Sequence, residues 1–318
     1  MTHILVTVAL LAAALTAQAQ SYPTKPIRLI VPYPAGGGTD AVVRPFLPGL
    51  IQSLGTQLIV DYRGGGGTTI GAGIAARATA DGYTLLVCGT ASHAISPQIR
   101  RASYDPFKDF EPITLLAASS TVLFTHNNFA FNRLAELVEA AKANPGKFSY
   151  ASSGAGTPPH LSTEIFMSMS GIKLLHVPYK GAGDSLSDMI AGRVDLKFGS
   201  TPEAIPPVKA GRLKGIAISR DTRWPDMPNV PTFAESGWPQ YKTGTWYALC
   251  APANTPKAII DRIYKSTRDA LASSDLRERL RLLGVSPGGN SPQEFAAFIR
   301  SEYETYGKVI KALSLRAD

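Results

Sequence analysis

Two stretches decide the reading of this chain: VPYPAGGGTD at residues 31–40 and VPYKGAGD at residues 177–184. Each is a short apolar strand that ends in Tyr, passes through a glycine loop and reaches an acid where a helix begins. Loops with so little side chain offer mainly backbone N–H groups, and glycine lets those groups turn toward one point. A helix start adds up to four unpaired N–H groups and about half a positive charge, so the expected guest is an anion. Here Thr39 or Asp40 is expected to cap the first helix.

Working outward, RLIV (28–31) reads as a buried strand between prolines, and Val42, Val43, Phe46, Leu47, Leu50, Ile51 and Leu54 recur at helical spacing up to Gly55. QLIVDY (57–62), a second glycine loop RGGGG, a small-residue helix and YTLLVCG (83–89) follow. Strand and helix alternating at this period imply right-handed βαβ units and a mainly parallel sheet. From about Ser120 the pattern restarts, with TVLFTH, FNRLAELVEAAKA, KFSYASS, GAGTPP, HLSTEIFMSM, KLLHVPY, KGAG, DSLSDMIAG and RVDLKFG in turn. The terminal helices, near 256–272, 275–283 and 292–313, are expected to follow with no further strand and to pack back on the first lobe. The lobes are therefore placed at 20–120 with 246–318 and at 121–245, joined by a hinge that the chain crosses twice. The four glycine loops at 35–39, 63–67, 154–157 and 180–183 would line the cleft between them, since ligands of open α/β sheets bind where strand ends lead into helix starts.

The first nineteen residues carry an apolar run from Ile4 to Leu15 and end in Ala17-Gln18-Ala19, the small-x-small pattern of a signal peptide. Twelve apolar residues are too few to span a bilayer, which needs about 20. Cleavage after Ala19, export to the periplasm and a soluble mature monomer are expected. The chain has 318 residues, 44% hydrophobic and 18% charged, an ordinary globular balance. Its net charge of +8 comes from scattered basic residues without interleaved aromatics, which argues against nucleic acid and leaves a mild bias toward anions. Cys88 and Cys250 sit in apolar strand-like runs and are read as buried thiols, with a single disulfide as the alternative.

Catalytic and cofactor signatures are weak. His93, His160 and His176 have neither HxxxH spacing nor Cys or Asp partners at ligand spacing, so no metal is expected. ASSGAG lacks the first Gly of a nucleophile elbow, and no Walker A sequence is present. Gly36, Gly38 and Ala41 do satisfy GxGxxA after a strand, with Asp61 where a ribose-binding acid belongs. Against a dinucleotide site stand the export leader, the RGGGG loop after the second strand and the VPY copy in the second lobe. No cofactor is expected, and no enzyme activity. An exported hydrolase or dinucleotide-dependent enzyme that uses the glycine loops is the alternative.

Taken together, YPTKPIRLIVPYPAGGGTD, YRGGGGTTIGA, DGYTLLV, YDPFKDFEPIT, ASSGAGTPPHLS, HVPYKGAGDSL and GRVDLKF resemble the Bug-type (TctC-like) solute receptors of tripartite tricarboxylate transporters. The resemblance runs over essentially the whole mature chain. It implies a two-lobed α/β periplasmic binding protein fold, type II-like, that closes on a small carboxylate and delivers it to membrane permease subunits, or else feeds a sensor kinase. Carried over by motif, the ligand-binding set is Tyr33, Ala35, Gly36, Thr39 and Asp40, then Thr90, Ser92 and His93. The second lobe adds Ser153, Gly154, Thr157, His160, Tyr179, Lys180, Gly181 and Ala182. Pro45 falls inside the first helix of the pattern, and Cys88 and Lys197 stand where the family usually has small or apolar residues.

Overall fold

The computed structural model describes residues 22–316; the signal-peptide reading lies outside them. The first strand, β1 (Ile27–Val31), sits between β2 (Leu58–Tyr62) and β3 (Thr84–Gly89), parallel to both. Between β1 and β2 runs α1 (Gly38–Leu54), which buries Val42, Val43, Phe46, Leu50 and Leu54 and stops at Gly55, φ 76°, the left-handed residue that closes a helix. Pro45 and Pro48 lie inside α1 without ending it. A short helix, α2 (Thr69–Ala76), links β2 to β3, and a π turn (Ala91–Ile95) leads into α3 (Ser96–Ile99).

The strand expected as TVLFTH is the end of a much longer one. β4 (Phe110–His126) takes both halves of the molecule into a single ribbon. Its first part, to Ser120, pairs antiparallel with β9 (Gly244–Pro252); its last six residues pair with β7 (Leu196–Ser200) and β8 (Leu213–Ile218). The strand order is β2-β1-β3-β9-β4-β7-β5-β6, where β5 is Ser149–Ser152 and β6 is Leu175–Pro178. The chain thus leaves the first half-sheet at Ser120 and re-enters it at Gly244. Each half keeps the anticipated parallel strands, β2-β1-β3 and β5-β6 with β7, while β4 and β9 make the whole a curled mixed sheet.

Helices α4 (Leu134–Ala143), α5 (Pro158–Ser170), α6 (Ala182–Ile190) and α7 (Thr201–Lys209) cover the second half-sheet, and α8 (Lys257–Leu271), α9 (Ser274–Leu282) and α10 (Pro292–Ala312) follow β9. Residues of α8 and α9 share one apolar core with β1, β3 and α1, and Phe295 and Ile299 of α10 share another with β3 and β9. The expectation that no strand follows these helices is corrected: β10 (Val285–Pro287) adds three residues antiparallel to β4. Three residues are too few to show a period in sequence.

The two cysteines are also corrected. Cys88 of β3 and Cys250 of β9 are diagonal neighbours on adjacent antiparallel strands, Cys88 lying opposite Ala248, and form a disulfide, Cα–Cα 5.9 Å. Only strand pairing brings together residues 162 positions apart, which the sequence could not reveal.

Candidate functional site

The two quoted loops meet. A methyl group placed on Gly37 would lie 3.2 Å from the Ala182 Cβ, and one on Gly181 would lie 2.8 Å from the Pro34 ring. Between them is a cleft of about 50 Å3 lined by Tyr33, Gly37, Gly38, Thr39, Ser153, Pro158, Ala182, Gly199, Ser200, Glu203, Thr245 and Tyr247, among others. That space corresponds to roughly three to five water positions, the scale of a small ligand held closely.

Four helices open onto this cleft: α1 at Gly38, α5 at Pro158, α6 at Ala182 and α7 beside Ser200. Their N-cap residues, Gly37, Thr157, Gly181 and Ser200, all have extended backbone, and none caps its helix through a side chain. The cap expected from Thr39 or Asp40 is corrected: the N-cap is Gly37, and Thr39 and Asp40 already lie inside α1, which begins at Gly38. Glycine at the cap has no side chain to occupy the N–H groups, so the first turns of α1 and α6 keep donors for a guest. α5 offers less, since Pro158 and Pro159 have no N–H.

Tyr33, Thr39, Ser153 and Ala182 of the sequence-derived set line the cleft. The others stand outside its lining and do other work. Ala35 and Gly36 are exposed. Asp40 turns away: its carboxylate accepts hydrogen bonds from Gly36 N at 2.9 Å, Arg44 Nε at 2.8 Å and Tyr62 Oη at 2.5 Å. Burial raises the Asp40 pKa, but those three bonds outweigh it and hold the group below its ordinary value. Thr90 accepts from Trp246 N at 2.9 Å and Thr245 Oγ1 at 3.1 Å, which fixes β9 beside the cleft. Gly154 supplies a positive φ, 109°, in the turn before α5, and Thr157 Oγ1 donates to its carbonyl at 2.6 Å. Tyr179 Oη donates to Asp188 at 2.8 Å, Lys180 is exposed, and Gly181 is the buried cap of α6.

Neither His93 nor His160 is a cationic anchor. Burial pushes His93 down to about 3; burial, His176 and Arg100 push His160 down to about 4. Both are neutral near pH 7. His93 bonds Ser92 Oγ at 2.9 Å through Nδ1 and packs on Phe110. Cys88, His93 and Cys250 have ligand atoms within 4.8 Å of one another, but both sulfurs are committed to the disulfide and no thiolate is left to hold a metal. Ser152 Oγ lies 2.7 Å from His176 Nε2, a serine–histidine pair the sequence did not suggest. Ser152 is fully buried, and its hydroxyl also accepts from Gly154 N at 3.1 Å. Asp61, the acid of the dinucleotide reading, receives Arg28 and Arg63 instead.

Gly37, Gly38, Ser200, Glu203, Thr245 and Tyr247 are cleft residues absent from the sequence-derived set. Gly37 and Gly38 belong to the quoted loop and differ from their neighbours only in the direction of the turn. Ser200 ends β7 and Glu203 follows it, at a strand-to-helix step with the single Gly199 in place of a glycine run, a weaker signal than the loops that marked the other helix starts. Tyr33 and Tyr247 keep their phenol protons: burial drives Tyr33 strongly upward and Tyr247 up to about 12, which makes both hydrogen-bond donors at the cleft wall.

The pattern of the TctC family, the tripartite tricarboxylate transporter family receptors, matches residues 42–315. The chain belongs to this family. Among relatives, the protein BugT of Bordetella pertussis is 32% identical over 298 residues, 92% of this chain and 90% of its own. A Pseudomonas sp. protein from the tcbD-tcbE intergenic region is 35% identical over 299 residues, 94% of this chain and 89% of its own. Of solved structures, that of a Rhodopseudomonas palustris protein with adipate superposes with a TM-score of 0.89 at 33% identity, covering 93% of the receptor and 99% of that chain. MatC from the same organism, with bound malate, gives 0.87 at 28% identity, covering 91% of the receptor and all of that chain. The receptor shares with these neighbours the two-lobed fold of periplasmic binding proteins.

Proposed function

We propose that this receptor is a non-catalytic periplasmic solute-binding protein that captures a small organic carboxylate between its lobes, 20–120 with 246–318 and 121–245, and delivers it to the membrane permease subunits of a tripartite transporter. One observation carries the reading: uncapped helix starts from both half-sheets, Gly37-Gly38-Thr39 and Gly181-Ala182, face each other across one cleft. Amide donors fixed in advance replace the water bonds a carboxylate loses, and each charge-assisted hydrogen bond contributes about 1.5 to 3 kcal/mol. The adipate and malate bound by two structural neighbours support the ligand class. Ligand binding shifts an open–closed equilibrium and drives no chemistry.

A thermal-shift screen of small organic acids on the chain from residue 20 tests this. A true ligand at a hundredfold excess over its Kd stabilises the protein by about 2.7 kcal/mol. If no carboxylate raises the melting temperature, or if one is turned over, the reading fails.

A further inference from the structure

The cleft wall beside Gly38, where a methyl would lie 3.6 Å from Glu203 Cβ, contains charge where an anion site would gain nothing from it. Lys197 of β7 is entirely buried and Glu203 of α7 is 6% exposed. Lys197 Nζ donates to Glu203 Oε1 and, at 2.8 Å, to Ser185 Oγ. Glu203 also lines the cleft, and among the described residues its other oxygen, Oε2, accepts no hydrogen bond. Gly199 makes room for that oxygen: a methyl there would sit 2.9 Å from it.

As a stabilising device this pair is poorly motivated. A buried ion pair loses hydration on both ions, and apolar residues of similar volume serve stability as well or better. Glu203 is the third residue of α7, so its carboxylate already neutralises the positive end of that helix. The starts of α1 and α6 remain for the ligand's own carboxylate. A carboxylate oxygen can only accept, and Lys197 occupies one of the two.

We propose that Glu203 Oε2 forms a second subsite that accepts a hydrogen bond from the ligand, so the solute is a small carboxylate bearing an ammonium or amide N–H rather than a second carboxylate. The inference rests on the carboxylate reading of the cleft and narrows it. A ligand N–H satisfies the free acceptor. A second carboxylate places acceptor against acceptor and like charge against like charge, an unfavourable contact that discriminates as strongly as a favourable one.

Calorimetry of the wild-type receptor at pH 7.5 against chain-matched sets tests it: β-alanine, succinamate, succinate and propionate, then γ-aminobutyrate, glutarate and butyrate. The amino or amide member of each set is expected to bind at least tenfold tighter than the dicarboxylate. In the neutral pair Lys197→Met/Glu203→Gln that ratio is expected to fall below threefold. Glu203→Asp, which withdraws the oxygen while keeping the charge, is expected to weaken the amino and amide ligands selectively. Tight binding with the dicarboxylate preferred overturns the subsite alone, whereas absence of binding by every carboxylate overturns the subsite and the proposed function together.

Discussion

The two VPY loops are the same device set in different surroundings. Both begin a helix at the residue after a glycine cap, and both place an acid at the third helical position, Asp40 in α1 and Asp184 in α6. The first loop leaves β1, a strand paired on both sides, and Asp40 is buried and receives three hydrogen bonds. The second leaves β6, which among the described residues pairs only with β5; Asp184 and Lys180 are exposed, and the loop is held one step further back, through Tyr179 and Asp188. Identical local sequence logic therefore yields a rigid platform in one half and a lightly tethered cover in the other. Under the proposed function, the platform would receive the ligand and the cover would close over it.

Several perturbations should break this contrast, the largest first. The platform is tied to β9 by the Cys88–Cys250 disulfide, and no cysteine remains for a counterpart in the second half. Replacing both cysteines by Ala should cost about 2–5 kcal/mol of stability by loop-closure reasoning, read as a lower denaturant midpoint. An unchanged midpoint would mean the strands around β1 need no tie. Next, Gly38→Val and Gly181→Val each drive a side chain into the facing wall, Ser200 Oγ at 2.7 Å and the Pro34 ring at 2.8 Å from the added Cβ. Both should weaken carboxylate binding at least a hundredfold, about 2.7 kcal/mol, while melting stays cooperative. Retained affinity in both would remove the glycine loops from the site.

Asp40→Asn should destabilise the fold by about 1–3 kcal/mol, because it disrupts a buried hydrogen-bonded group. The matching Asp184→Asn should stay within about 0.5 kcal/mol, as exposed substitutions do. Equal effects in urea melts would erase the distinction between platform and cover. The same acid sets a pH signature. Its folded pKa is depressed below the ordinary 3.8, so its contribution is complete above that value and is lost as pH falls through the folded pKa. Wild-type stability should show this acid-side loss, and Asp40→Asn should reduce it. The smallest effect belongs to Tyr179→Phe, which frees the cover from Asp188: a few-fold change in affinity at most, with the melting temperature nearly unchanged.

Much of this molecule was legible before any coordinates. Apolar runs of four to six residues between glycines and prolines fixed β1, β2, β3 and β5 to within a few residues, and the 3.6-residue spacing from Val42 to Leu54 fixed α1. The repeated VPY-glycine pattern pointed to two loops sharing one cleft, and Gly37, Gly38, Thr39 and Ala182 do line one cleft together. These are local signals, set by backbone sterics and side-chain periodicity.

The remaining features depend on residues far apart in the chain. That β4 is one ribbon serving both halves, that Cys88 meets Cys250, and that β10 pairs with β4 follow from which strands become neighbours, and neighbours are chosen by the packing of the whole core. The site divides in the same way. Its chemistry, amide donors with little side chain, is written in the glycine loops. Which hydroxyls and which carboxylate line the cleft was decided only when Thr39, Ser153, Ser200 and Glu203 were brought together, because the direction a side chain points depends on a strand's partners as well as its own sequence.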